Sequence, residues 1–312
     1  MSDPVLVSLV IPVHDESEGL RANLPYLLER AATPGVVFEA VVVDDGSRDT
    51  TATVLAELAA ADPRIRPLYF TRNFGKEAAI AAGLDHAQGA AAVVLDSDRQ
   101  HPPEMVPLMI ERWRQGFAVV EAVKRDRGEA DRGGGVPARL FYRLFSRACG
   151  IDLAGETDFK LLDRSVVDAL ARLPERRRFF RGLVAWMGYP SARLPFDVPP
   201  RVGGTSRWRL SRLVRYAVDA MMGFSDLPLR LIGLIGVLVF AVGGVAGAIA
   251  LYQKFAGIAL DGFTTVIILI ALASGALMGA IGIVGLYLAR IHDQLQGRPL
   301  YLLRRPPGDE AR

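Results

Sequence analysis

The sequence VVLDSDRQHPPE at positions 93–104 runs apolar residues straight into two aspartates spaced by one, then closes on a proline pair. At the end of a strand, Asp96 and Asp98 project to the same side. Like charges placed that close repel unless a positive group lies between them. The segment therefore poses both a fold question and a chemical one.

The same arrangement, an apolar run ending in acid, recurs along the first part of the chain. Positions 5–13 and 39–43 are Val-rich and end at Asp15, Glu16, Asp44 and Asp45; RPLYFTRN, GAAAVVLDSD and GFAVVEAVKR repeat the apolar run. Helical stretches at 19–32, 50–61, 76–88 and 103–115 separate these strands. Apolar strands without alternation, separated by helices, indicate a parallel sheet covered on both faces. The expected fold is a doubly wound α/β domain whose ligands bind beyond the strand C-termini, where these acids lie. Capping of the following helices is the simpler use of such acids, and it suits Asp49 or Glu16. Three acidic ends on one sheet edge argue for a shared site.

At 312 residues the chain has room for a large domain and a further module. Hydrophobic residues make up 51% and charged residues 23%, a mixture that divides the chain into a polar and a greasy part. The single cysteine, Cys149, excludes an intrachain disulfide and a cysteine-built zinc site. The N-terminus is acidic and breaks at Pro12, unlike a signal peptide, so this part is expected in the cytoplasm. Segments 231–252 and 263–289 carry no charged residue over 22 and 27 positions. Each exceeds the roughly 20 residues that cross a bilayer core. Arg212, Arg215 and Arg230 precede the pair, and Arg290, Arg298, Arg304 and Arg305 follow it. The positive-inside rule then places both flanks in the cytoplasm. Before the pair, Arg139, Arg143 and Arg147, and later Arg209, Arg212 and Arg215, flank apolar stripes, the pattern of helices lying in a membrane interface.

A carboxylate pair at a parallel-sheet edge suits Mg²⁺ or Mn²⁺ carrying phosphate. Asp98 is the expected direct ligand, with Gln100 offering a neutral oxygen. Asp96 binds through water or holds a sugar hydroxyl. His101 borders the site in preference to ligating.

The strings SLVIPVHDE, VVVDDGSRDTT, TRNFGKEAAIAAGLDHAQG, VVLDSDRQHPPE, DFKLLDRSVVDAL and RFFRGLVAWMGY together resemble glycosyltransferase family 2. The similarity is to its polyprenyl-phosphate sugar transferase branch, which includes dolichyl-phosphate mannose synthase and the bactoprenol glucosyltransferases, and it covers nearly the whole chain. The resemblance implies a GT-A fold and a single inverting transfer from a nucleotide-diphosphate sugar to a polyprenyl phosphate. It implies a nucleoside pocket lined by Pro12, Asp15 or Glu16, and Asp45, with Lys76 a further donor-site residue. It places Asp96, Asp98 and Gln100 at the metal and diphosphate. Arg125 and Arg127 resemble the family's acceptor-phosphate arginines, with Lys160, Arg178 and Arg181 in reserve. Asp158 matches an acidic position near the reaction centre and is expected to orient an arginine or the acceptor. Arg99 and His101 depart from the common DADLQDPPE, and Lys160 stands where relatives often have Arg.

On this reading 1–137 is the nucleotide-sugar-binding core and 138–228 the acceptor side with its interfacial helices. Residues 229–289 form a transmembrane hairpin and 290–312 a cytoplasmic tail. The bacterial plasma membrane is the expected location, UDP-glucose the favoured donor. UDP-formyl-aminoarabinose, GDP-mannose and UDP-N-acetylglucosamine are the alternatives. Relatives suggest a tetramer and a downstream flippase or transferase; no nucleic-acid partner is expected. A processive synthase usually carries Gln-x-x-Arg-Trp, whereas Gly204 stands where Gln would precede Arg207 and Trp208. A membrane scaffold without catalysis is opposed by the intact Asp-Ser-Asp-x-Gln.

Overall fold

Burial on both faces explains the unbroken apolar strands. The computed structural model describes residues 4–125, 156–176, 178–197, 227–257 and 263–306. In it β1 (Val5–Val13) and β2 (Val36–Asp44) pair in parallel along their whole length. On their flanks β4 (Ala91–Val94) pairs with β1 and β3 (Ile65–Phe70) with β2, again in parallel. Crossover helices α1 (Ser17–Arg30), α2 (Thr51–Ala61) and α3 (Lys76–His86) link them, and α4 (Met105–Arg114) leads from β4 to β5 (Val119–Lys124). Alternate strand residues serve opposite layers. Leu9, Ile11, Ala40 and Val42 pack with Leu20 and Leu24 of α1 and Met109 of α4, whereas Val41 and Val43 pack with Ala78, Ala79 and Ala82 of α3. The small residues of α3 bring it close to the sheet. A Cβ built on Gly83 would fall 2.3 Å from Val10 Cγ1.

Three further strands carry no clear signal in the sequence. β6 (Glu156–Asp163) inserts antiparallel between β4 and β5, β7 (Ser191–Phe196) runs parallel to β5 at one edge, and β8 (Leu303–Arg304) lies antiparallel on β3 at the other. The order is β7-β5-β6-β4-β1-β2-β3-β8, a mostly parallel but mixed sheet. β6 is hard to recognise because it buries Thr157, Asp158 and Lys160 within a central strand. The Pro195 of β7 is tolerated because an edge strand has one unpaired side. After β6, the Asp163 carboxylate accepts from Ser165 N–H and caps α5 (Arg164–Arg172), and α6 (Phe180–Trp186) follows.

A second unit holds α7 (Leu227–Phe255) and α8 (Phe263–Leu295), which pack on each other. Leu231–Ile249 and Leu272–Leu295 are long and apolar enough to cross a membrane, and neither stretch is buried within the chain. Phe240 and Phe255 are among their exposed apolar residues. Exposure of that much apolar surface sets them apart from the core helices of a soluble domain. Arg127 and the two arginine-flanked segments around 139–147 and 209–215 lie outside the described residues.

Candidate active site

Because β1, β2 and β4 run parallel, the loops after them meet at one edge. The loop after β1 starts with His14, whose Nδ1 is 2.9 Å from the Asp45 carbonyl oxygen. Asp15 follows with φ 52°, a left-handed conformation that aspartate tolerates better than most residues. Its carboxylate accepts from Arg48 N–H at 2.7 Å, and its own N–H donates to Ser47 Oγ at 3.0 Å. Asp45, at the end of β2, is buried and accepts from Phe74 N–H at 2.7 Å and Gly75 N–H at 3.0 Å. Burial nonetheless pushes its carboxyl above the ordinary aspartate value, although those two amides pull the other way. Gly46 is required between these loops: at φ 64° a Cβ would lie 2.2 Å from the Arg72 carbonyl carbon.

Of the two acids suited to capping, one caps and the other joins the site. Asp49 is a capping residue: it accepts from Thr51 N–H at 2.9 Å and from Ser17 N–H at 3.2 Å, joining the starts of α2 and α1. Glu16 is not. Its side chain makes no cap hydrogen bond and instead accepts from Ser97 Oγ, between the two aspartates of the opening motif. Burial raises the Glu16 pKa, and the charges of Asp98 and Asp96 raise it further against the lowering by Ser97. Three carboxylates thus converge at the end of β4.

The positive group at Asp96 is Lys76, the first residue of α3. Its Nζ lies 2.6 Å from Asp96 Oδ1 and 2.9 Å from Asp158 Oδ2. Asp158, on β6, also accepts from Arg181 Nε at 2.7 Å. Burial opposes the charge of each member, but the opposite charges prevail: Asp158 is held well below the usual carboxylate range, and Lys76 above the usual lysine value. Glu77, next along α3, accepts from Phe180 N–H at 2.7 Å, and burial pushes its carboxyl up to about 7. His101 is buried beneath Asp96. Its Nδ1 accepts the Asp96 N–H at 3.0 Å and its ring stacks on Phe159 at 5.0 Å. Burial lowers its pKa, so the imidazole is neutral and supports the Asp96 backbone.

Asp98 is exposed, and one of its oxygens accepts from Gln100 N–H at 3.0 Å. Among the described residues no group of three His, Cys, Asp or Glu side chains forms a ready cage for a metal. Exposed carboxylate oxygen on Asp98, beside the Asp96 carboxylate, fits a hard divalent cation that takes its remaining ligands from phosphate and water. The neighbouring Arg99, at φ 59°, turns away: its guanidinium stacks over Tyr26 at 4.3 Å and donates to the Ala22 carbonyl at 3.1 Å.

The remaining expected residues make no contact with the Lys76, Asp96 and Asp158 side chains among the described residues. Pro12 is buried in β1 opposite Val43. Arg125 follows β5 and pairs with Asp197 at 3.2 Å. Lys160 is fully buried and donates to Glu121 at 2.6 Å. Arg178 donates to the Leu173 carbonyl at 3.2 Å and the Glu175 carbonyl at 3.4 Å, closing a turn. Ser97 and Glu77 enter the cluster without having been foreseen. For Glu77 a signal existed in its place beside Lys76 at a helix start.

The chain is similar to known proteins in both sequence and fold. The family described as Glycosyl transferase family 2 matches residues 8–171. The uncharacterized glycosyltransferase YkcC of Bacillus subtilis (strain 168) is 36% identical over 99% of this chain and 97% of its own. The prophage bactoprenol glucosyl transferase homolog of Escherichia coli (strain K12) is 33% identical over 96% of this chain and 98% of its own. Among solved structures, a glucosyl-3-phosphoglycerate synthase from Mycobacterium tuberculosis, in complex with Mn²⁺, uridine diphosphate and phosphoglyceric acid, shares a TM-score of 0.50. It is 19% identical, and the match covers 70% of this chain and 76% of that one. That likeness is one of fold, and the mixed sheet is of the expected GT-A type.

Proposed function

The chain belongs to glycosyl transferase family 2, and from that premise we propose that this glycosyltransferase moves one sugar from a nucleotide-diphosphate sugar onto a membrane polyprenyl phosphate. The observation that carries the reading is the Lys76 bridge between Asp96 and Asp158 at the C-terminal edge of the sheet. The two membrane-length helices and the near full-length similarity to bactoprenol glucosyl transferases support the lipid acceptor. UDP-glucose is the favoured donor; a UDP-formyl-aminoarabinose, GDP-mannose or UDP-N-acetylglucosamine would use the same site chemistry.

The acceptor phosphate is ionised at neutral pH, so its oxygen attacks the anomeric carbon without a strong base. The bond from that carbon to the diphosphate breaks, the electron pair leaves with the nucleoside diphosphate, and the configuration inverts. Asp15 and Asp45 line the nucleoside pocket with Pro12 and Glu16. Lys76 is placed to shift from the Asp96 carboxylate toward the diphosphate as negative charge develops there. Asp158 holds Arg181 and Lys76 in position, and with both cations beside it it stays ionised and does not take a proton. Asp98 and Gln100, with Asp96 beside them, would hold Mg²⁺ or Mn²⁺, which would neutralise charge on the leaving diphosphate. Arg125, with Arg127, receives the acceptor phosphate. Arg181 is a second cation for it, while the buried Lys160 and the turn-closing Arg178 act through the scaffold.

In this reading the catalytic domain and both termini are cytoplasmic, on the inner face of a bacterial plasma membrane, with α7 and α8 as the two spans. A tetramer and a flippase or transferase acting on the product complete it. Full-length protein in detergent, given labelled nucleotide sugar, undecaprenyl phosphate and Mg²⁺ or Mn²⁺, is expected to yield a lipid carrying one sugar. Transfer only to water or to a growing polymer would refute the proposal.

A further inference from the structure

The polypeptide beyond α8 contributes the edge strand β8, and its side chains reach the corner that carries Asp44 and Asp45. The register aligns three residues across three strands. Asp44 on β2 pairs with Tyr69 on β3, and Tyr69 pairs with Arg304 on β8. Register partners stand on the same face of a sheet, so the three side chains form one row. Asp44 is fully buried. Its Oδ1 accepts from Ser47 N–H at 3.0 Å and from Ser47 Oγ, whereas its Oδ2 has no hydrogen-bond partner among the described residues. The charge facing that oxygen is Arg304, with Nη2 at 3.6 Å and its guanidinium 5.8 Å from the Tyr69 ring centroid.

This row continues into the donor pocket. Ser47, held by Asp44, accepts the N–H of Asp15 at 3.0 Å. A second path starts three residues before Arg304. The Tyr301 ring stacks on Phe70 at 5.2 Å, and its hydroxyl donates to Asp85 at 3.1 Å. Phe70 meets Phe74 edge to face at 5.6 Å, and Phe74 N–H is the donor to Asp45. The Thr71 N–H to Leu302 carbonyl bond, 3.0 Å, fixes the strand between the two paths.

We propose that Arg304 is a positioning residue for the donor pocket: it fixes the Asp44–Asp45 corner through the Asp44 carboxylate, so the segment after the last apolar helix sets affinity for the nucleotide diphosphate. The inference rests on the donor-pocket reading of Asp15 and Asp45. A buried carboxylate oxygen that lacks hydrogen bonds is stable only beside a compensating charge. Without Arg304 the corner has to rearrange or admit water, and the Ser47–Asp15 contact moves with it.

The test uses full-length protein in detergent, the variants Arg304→Ala, Arg304→Lys and Asp45→Asn, and binding of UDP and of GDP in the presence of Mg²⁺. Arg304→Ala is expected to weaken binding of the preferred nucleotide by about tenfold and to raise the KM for the sugar donor in parallel. Turnover at saturating donor and the KM for the lipid acceptor stay within about twofold of wild type on the same argument, and Arg304→Lys restores most of the affinity. If Arg304→Ala binds like wild type while Asp45→Asn is impaired, the inference fails and the donor pocket stands. If both bind like wild type, the donor-pocket reading fails and takes the inference with it. A uniform loss of donor affinity, acceptor affinity and turnover with a lowered Tm, not rescued by lysine, marks a purely structural role and overturns the proposal.

Discussion

Lys76 Nζ lies 2.6 Å from Asp96 Oδ1, so the cation that lets this aspartate stand beside Asp98 is a side chain of the protein itself. The same ammonium reaches Asp158 at 2.9 Å and remains partly open to solvent. It has two carboxylate partners, and in the proposed reaction it moves from them toward the diphosphate.

Removing this charge while keeping the helix start is expected to act on the chemical step. Lys76→Met should lower kcat by roughly 10²–10³, the usual cost of losing one electrostatic group at developing charge. Steady-state kinetics with both substrates check this. A change confined to the donor KM would assign Lys76 to binding alone.

Asp158→Asn keeps the shape of the side chain and removes its charge, leaving Lys76 and Arg181 without their common partner. Turnover is expected to fall by at least about a hundredfold, with nucleotide affinity nearly preserved. Combining it with Arg181→Ala should cost less than the product of the two single effects, because the residues act as one unit. Strict multiplicativity would separate them.

Metal removal and Asp98→Asn should converge. Chelation is expected to abolish transfer by wild type, with Mg²⁺ or Mn²⁺ restoring it; Asp98→Asn should need a much higher metal concentration, by about tenfold or more. Activity in Asp98→Asn that survives chelation would remove the metal from this position.

Glu77 makes stability depend on pH near neutrality. Its folded pKa of about 7 lies above the ordinary glutamate value of 4.5. Between those values the folded state holds the proton more tightly than the unfolded state. Its contribution to stability is therefore full at low pH and declines as pH rises toward 7. Glu77→Gln, which keeps an oxygen for the Phe180 N–H, should flatten the fall in Tm between about pH 5 and pH 8. An unchanged slope would contradict the assignment.

The parallel half of the fold is legible because its strands are buried on both faces and show it as Val and Ala runs. The same runs place Asp45, Asp96 and Asp98 at one edge, and Lys76 at the start of α3 beside them. Other parts are hidden for physical reasons. β6 looks polar because Asp158 and Lys160 are buried beside partners on other elements, Lys76 and Arg181 for the one and Glu121 for the other. Lys160 consequently resembles a phosphate-binding residue while its ammonium serves an internal pair. β8 spans two residues, and its role depends on a register that no local pattern records. Glu16 illustrates the limit most simply: the residue at a helix start has the composition of a cap, but its carboxylate turns to Ser97.

The central claim is one sugar moved to a lipid phosphate at the Lys76–Asp96–Asp158 cluster. Its most direct measurement is single-turnover transfer of labelled sugar from UDP-glucose, with the other nucleotide sugars in parallel, to undecaprenyl phosphate by the full-length protein with Mg²⁺ or Mn²⁺. The account predicts one lipid product bearing one sugar, formed by wild type and lost together in Lys76→Met and Asp158→Asn. No lipid-linked product with any donor, or a product formed equally well by those variants, would contradict it.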